Sequence, residues 1–425
     1  MSLLTIFVSI WLISLWVYFR RGRSLRRAVV IGVGLNIGVA TLIWGGPLSS
    51  GALFLLLPAP PQTRPADFKY SYRPLHKGHV DLATGLYIRE DDDFIVSESP
   101  AFVWRRAYLS RDRVARQLGI GTMHNADSYL IGDMASLTRA ELITETGSRV
   151  VFDRTSRGRS YVNAMFVHTR TLSGYFGARL GWTGQSWALR FADGELAIFQ
   201  ACDTPQVPCA LVSIRDYEGK VIRFRRDARG VLRRIEAGAE QLHFEYDDKT
   251  RIVRAVQGPH EARYLYDDRG RLVRSTVSGV VRTFDYGARD EMIGITEQNR
   301  SVENTYDDDL RVIRQVLRRP GRPDSVHSFA YTVYDKAIVE TAVTWPNGSR
   351  TTYRWNEKRH QDLEIHEGAG ESPIMVQYAR PDGVFTGSLT ISCTKNGMPV
   401  SETVEVFPGQ ESRVKAEVIE RLCSD

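Results

Sequence analysis

The chain has 425 residues, with 56 Lys and Arg against 50 Asp and Glu, a formal charge of +6, and only four Cys. That length holds several domains, and 43% apolar residues is enough for packed cores, which excludes a disordered or collagen-like chain. The positive balance is no sign of nucleic-acid binding: the only charges before residue 64 are Arg20, Arg21, Arg23, Arg26 and Arg27, which leaves residues 64–425 at about +1.

Those arginines separate two uncharged stretches, Leu3–Phe19 and Ala28–Thr63. A bilayer is crossed by about 17–25 apolar residues, and a signal peptide would carry its basic residues before the apolar run rather than after it. The pattern predicts a transmembrane helical hairpin over 1–63, with spans about 3–19 and 28–45. Trp16, Tyr18 and Trp44 suit the interfaces. The positive-inside rule then puts the arginine loop in the cytoplasm. The partner implied is the lipid bilayer of a bacterial inner membrane, with the large C-terminal region periplasmic or extracellular. Leu53–Leu57 reads equally as a helix end or an interfacial segment. Pro58–Pro65 is a stiff linker.

Residues 64–200 alternate like strands and turn at glycines, which predicts a β-rich domain with one helix around Arg111–Leu118. Glu90-Asp91-Asp92-Asp93 would serve either as hard oxygen ligands for Ca²⁺ or as a solvated loop. Tyr161, Tyr175, Trp182 and Trp187 would stack on sugars or pack in the core. His76/His79 and His360/His366 are the only near histidine pairs, without neighbouring Cys or a helix-spaced Glu. No nucleophile elbow or phosphate loop is present. No catalytic residue, metal site or cofactor is expected, and no nucleic acid.

From 201 to 365 one pattern returns every 20 residues. Its anchors are Tyr246-Asp247, Tyr266-Asp267 and Tyr306-Asp307, with degenerate copies at Arg226-Asp227 and Tyr286-Gly287. Two residues before each anchor stand Phe224, Phe244, Tyr264, Phe284 and Asn304; six after stand Leu232, Ile252, Leu272, Met292 and Val312. Asp267-Asp268-Arg269-Gly270 supplies turn chemistry, and Phe284 and Tyr286 share one face of a strand. The pattern predicts stacked β-hairpins, none stable alone. Irregular copies are expected at Tyr334-Asp335 and Trp355-Asn356 after a charged insertion around Arg318–Asp324.

The unit Tyr-Leu-Tyr-Asp-Asp-Arg-Gly-Arg-Leu at 264–272 resembles the YD repeat of the Rhs family. Gly78-His79-Val80-Asp81-Leu82-Ala83-Thr84-Gly85-Leu86 resembles the opening of the domain that precedes such repeats, although the family's Trp after Gly121 is here Thr122-Met123-His124. The resemblance covers about 75–360 and implies a spiralling sheet. Family toxins self-cleave at an Asp-Pro-type motif; this chain has no Asp-Pro dipeptide, so neither cleavage nor toxin activity is carried over.

Residues 366–425 follow a Gly-rich stretch and read as a small C-terminal β module or cap, with strands at Ser388–Cys393, Val400–Phe407 and Ser412–Leu422. Cys202, Cys209, Cys393 and Cys423 all fall on the side placed outside the cytoplasm, where an even count favours disulfides. The simplest of three pairings is 202–209 with 393–423.

The fold class expected is therefore mainly β: two transmembrane helices, a β-rich domain, a repeat sheet and a cap. The function expected is a membrane-tethered scaffold or binding protein, non-enzymatic, engaging a protein or carbohydrate ligand. The alternatives are an accessory or immunity-like partner of an Rhs toxin, or an envelope enzyme on glycans using paired carboxylates.

Overall fold

Each 20-residue period folds as two antiparallel strands joined by two different turns. In a computed structural model the chain is described over residues 79–423, apart from 133–137, 159, 170–172, 202–207, 358–359, 369–371, 380, 382–385, 396 and 408–409. Strand His260–Tyr266 is typical: Ala262 and Tyr264 are buried while Arg263 and Leu265 are exposed. One end of each period is a two-residue turn, as at Ser278-Gly279, where both residues have positive φ. At the other end the register shifts by a bulge, between Leu265 and Tyr266, and a loop led by Asp267 reverses the chain. Strand Val280–Tyr286 and its neighbour Leu272–Val277 lie where the pattern puts them.

Ahead of the repeats, strands from Tyr129–Gly132 to Cys209–Arg215 follow one another antiparallel. The last pairs back on the first, Cys209 opposite Leu130 and Ala210 opposite Tyr129. From Cys209–Arg215 the same meander runs on through the repeats to strand Met398–Val406, so the sheet curls into a barrel-like spiral. Strand Gln361–Glu367 pairs with Ile374–Ala379, so the sheet passes through the Gly-rich stretch without a break.

A separate three-stranded sheet of β1 (Ile88–Glu98), β2 (Ala101–Leu109) and Thr122–His124 lies against the aromatic face of the repeats. One contiguous core holds Trp104, Tyr108 and Leu118 from this segment with Phe224, Phe244, Tyr264 and Phe284 from the repeats.

Three expectations change. Arg111–Leu118 is not a helix: Ala115–Arg116 pairs with Gly119–Ile120 in a small ladder. The reason is non-local, since the Gln117 carbonyl accepts from Ile252 N–H and Ile120 N–H donates to the Gly270 carbonyl, groups a helix would use internally. Ser412–Leu422 is not a strand either. It lies in helix α1 (Glu411–Cys423), whose Val414, Val418 and Leu422 recur at four-residue spacing and pack on Val376, Leu389, Ile391 and Val406. The terminal module is thus strands plus a helix. Finally, Tyr334-Asp335 is no repeat anchor: Asp335 and Lys336 form a positive-φ turn and Tyr334 is exposed. The two expected transmembrane spans and Arg20, Arg21, Arg23, Arg26 and Arg27 lie outside the described residues. Among the described residues no helix is long and apolar enough to cross a membrane.

Candidate functional site

The repeat anchors divide two tasks. The aspartate caps the turn: Asp267 Oδ1 accepts from Arg271 N–H at 2.8 Å, and Oδ2 accepts from Arg271 Nε at 2.7 Å. Asp247 holds Arg251, and Asp307 holds Arg311, in the same way. The tyrosine ties one hairpin to the previous one. Its hydroxyl donates to the carbonyl of the second-column residue 14 positions earlier: Tyr266 to Ile252 at 2.6 Å, Tyr286 to Leu272 at 2.8 Å, Tyr306 to Met292 at 2.7 Å, and Tyr246 to Leu232. The clipped arginine then lies over the next ring, Arg251 over Tyr266 at 4.6 Å and Arg271 over Tyr286 at 5.1 Å. Turn and stack are therefore one unit. After the insertion Tyr331 takes this role, bonding the Val312 carbonyl under Arg311. Trp355-Asn356 keeps the turn, with Asn356 Oδ1 accepting from His360 N–H at 3.0 Å.

Gly270 (φ +87°) fills the left-handed slot of its turn, which Thr250, Asp290 and Leu310 fill in other copies with positive φ. The degenerate copy at 287–291 swaps the clip end for end. Glu291 now supplies the carboxylate, accepting from Arg289 N–H at 2.8 Å, and a Cβ at Gly287 would collide with it. Gly287→Asp alone should cost about 1–3 kcal/mol by overpacking and charge repulsion. Adding Glu291→Arg should recover most of that loss by rebuilding the Asp–Arg clip, with a coupling of about 0.5–3 kcal/mol in a double-mutant cycle read by urea unfolding. Simple additivity would contradict the swap.

Strand β2 crosses the hairpins, and its inward residues meet the column two before each anchor in turn. Phe102 packs on Phe224 at 5.3 Å, Trp104 on Phe244 at 4.6 Å, and Arg106 lies over Tyr264 and Phe284 at 5.9 and 5.6 Å. Tyr108 packs on Tyr286 at 5.9 Å. Arg106 is 3% exposed and pairs with Asp93 at 2.8 Å and Asp91 at 3.2 Å, while Tyr264 donates to Asp93 at 2.7 Å. Burial pushes the Asp91 carboxyl up, but Arg106 and Arg89 outweigh it and hold it well below the usual range. Asp92 pairs with Arg105 on the exposed side. Glu90-Asp91-Asp92-Asp93 is thus a strand with its carboxylates committed to arginines, neither a loop nor an open Ca²⁺ cage.

The loop over 115–120 straddles two repeat turns and leaves an open cleft of about 380 Å³, lined by Arg116, Gln117, Lys249, Arg251, Asp268 and Arg269. A second polar cluster lies under α1. Glu364, buried, accepts from Lys415 at 2.9 Å and from Tyr378 at 2.7 Å, and His366 stands 2.8 Å away. His366 in turn stands 3.3 Å from the buried Thr351 hydroxyl, which accepts from Trp345 Nε1 at 2.8 Å. Burial alone would raise the Glu364 carboxyl; His366 and Lys415 bring it down to about 2. Its folded value lies below the ordinary glutamate value of about 4.3, so its stabilisation is present above that value and is lost as pH falls toward 2. Hydrogen exchange of residues 411–423 should therefore accelerate, beyond the intrinsic rate, between about pH 4.5 and 2. Lys415→Met should raise the lower end of that window and shrink the acceleration.

Cys393 and Cys423 are bonded and fasten α1 to strand Gly387–Lys395. Cys209 is disulfide-bonded and fully buried, while Cys202 lies outside the described residues. Trp187 is core, packed on Phe166 and Trp182, and Tyr175 packs on Phe191. The side chain of Tyr161 and all of His76 lie outside the described residues.

A family described as "Domain of unknown function (DUF6531)" matches residues 77–152, the segment holding β1, β2 and the first ring strands. No curated protein matches the chain. Among solved structures, "Crystal Structure of TcdB2-TccC3" is similar at 11% identity and TM-score 0.28, over 64% of this chain and 19% of that one. "Crystal Structure of TcdB2-TccC3-TEV" is similar at 10% identity and TM-score 0.27, over 76% and 20%. The chain thus spans about a fifth of the length of these structures.

Proposed function

We propose that this protein is a membrane-tethered YD-repeat scaffold of the Rhs type, working outside the cytoplasm without catalysing a reaction and holding a protein or glycan at the cell envelope. One observation carries the reading. The aromatic face of the repeats, where a ligand would find most apolar surface, is filled by the chain's own β2, residue by residue from Phe102 to Tyr108. What the sheet offers a partner is its polar face, displayed on a scaffold whose turns and tyrosines are cross-linked repeat to repeat. The 20-residue period and the match over 77–152 support the family side of the reading. The arginine loop between two apolar stretches supports the tether.

The test is topological. Alkaline phosphatase fused after Tyr70 should be active, since it folds only outside the cytoplasm, and β-galactosidase at the same point should be inactive. The reverse pair of results would place the scaffold in the cytoplasm and remove the envelope role.

A further inference from the structure

On the solvent side of the sheet, arginines recur at strand positions that alternate with the buried column: Arg223, Arg225, Arg234, Arg254, Arg263 and Arg274. Several stand directly opposite one another across neighbouring strands. Arg225 faces Arg234, Arg234 faces His243, and Arg254 faces Arg263. Like charges directly opposed in a sheet are destabilising, so the arrangement runs against stability. Three glutamates on the same face relieve only part of it. Glu236 bridges Arg225 and Arg234 at 2.7 Å each, Glu261 joins Arg254 and Arg263, and Glu245 reaches Arg254 at 2.7 Å. Arg223 and Arg274 make no ion pair among the described residues and both are exposed; Glu236, opposite Arg223, turns to Arg225 and Arg234. Six arginines against three glutamates and Asp285, exposed on the strand beside Arg274, leave this face positive, although residues 64–425 sum to only about +1. The column is interrupted at Gly294, which occupies the position of Arg234, Arg254 and Arg274 in the next repeat, and resumes at the exposed Arg314.

We propose that this face binds a linear acidic polysaccharide. Equivalent arginines are two strands apart, about 9–10 Å, so the cations form spaced rungs across the sheet. Duplex DNA carries a phosphate charge about every 1.7 Å and calls for denser Lys and Arg. A single-stranded nucleic acid calls for stacking aromatics, whereas Tyr264, Phe244 and Phe224 point the other way, into the core. Carboxylates or sulfates borne at intervals on a sugar chain match the rungs, and planar guanidiniums take such groups two oxygens at a time. The proposal rests on the envelope reading only for where such a polymer is met; binding itself does not depend on topology.

The test uses the full-length protein in detergent micelles over immobilised polygalacturonate. Saturable binding that weakens as salt rises is expected, with none to neutral dextran. Arg223→Gln with Arg274→Gln should weaken it about tenfold at an unchanged melting temperature. Arg223→Lys with Arg274→Lys, which keep the charge but not the bidentate geometry, should weaken it less than the Gln pair does. Both positions are exposed and make no ion pair among the described residues, and neutral Gln puts no like charge opposite Glu236. Absence of saturable binding, or equal binding by the double Gln variant, overturns the proposal. So does tighter binding of polyglutamate, duplex DNA or phosphatidylglycerol vesicles than of polygalacturonate.

Discussion

Replacing Arg106 by Met should cost about 3–5 kcal/mol, the range found when one partner of a buried ion pair is removed and the other left behind. The side chain length is kept, so packing over Tyr264 and Phe284 survives and the loss is electrostatic. Asp93, with a fully buried side chain, would keep only the Tyr264 hydroxyl, and Asp91 would keep Arg89 at 2.7 Å and the more distant Arg282. The pH dependence gives the effect its signature. In the native protein the Asp91 value is depressed, so its contribution is present above the ordinary carboxylate range and fades only as pH falls below it. In the variant Asp91 loses the largest of the charges that depress it, so less of that contribution is there to fade as pH falls. The gap between native and variant protein should therefore be widest near pH 7 and narrow on acidification. Urea unfolding at pH 7 and pH 4 measures both. A gap that is constant with pH would mean that Arg106 serves through packing alone.

That network shows where sequence reading reaches its limit. The 20-residue period, the strand positions and the turn role of Asp247, Asp267 and Asp307 are legible because each rests on neighbours in the chain. The tyrosine bond to a carbonyl 14 residues back joins neighbouring repeats over less than one period, although the period alone does not reveal its acceptor. The alignment of β2 with the repeat column is different, since it joins residues about 120–180 apart and follows from no local pattern. One signal was available. In Phe102-Val103-Trp104-Arg105-Arg106-Ala107-Tyr108 an arginine occupies the phase of three aromatics, and Asp91 and Asp93 share a phase on the strand before it. A charge in a buried phase calls for a partner, and two acids two residues apart supply it. Tyr334-Asp335 imitates an anchor in the sequence because the insertion around 318–324 displaces the register and moves the tyrosine to 331. The C-terminal helix was missed for a simpler reason: valines at 414 and 418 suit a strand by propensity, and only their four-residue spacing against Leu389 and Ile391 marks a helix.

The second large effect concerns the anchor itself. Tyr266→Ala should cost about 3–5 kcal/mol, the range for removing a large packed aromatic. Three losses combine there: the ring packed against the main core, the hydroxyl bond to the Ile252 carbonyl at 2.6 Å, and the stacked face of Arg251 at 4.6 Å. Tyr266→Phe should isolate the hydroxyl, at about 1 kcal/mol. Tyr264, fully buried and directly under Arg106, should be at least as costly, which makes the column two before the anchor the true spine of the sheet. Lys249, exposed in the turn after Tyr246-Asp247, provides the contrast, since Lys249→Ala should change stability by no more than about 0.5 kcal/mol. The repeats stack in series, so a defect in one hairpin also weakens the hold of its neighbours on β2. Limited proteolysis should then find new cuts in the repeats on both sides of residue 266, not only at the substituted turn. Small and equal losses for Tyr266→Ala and Lys249→Ala would show that the hairpins are held by backbone pairing and β2 alone, with the Tyr–Asp period carrying no share of the stability.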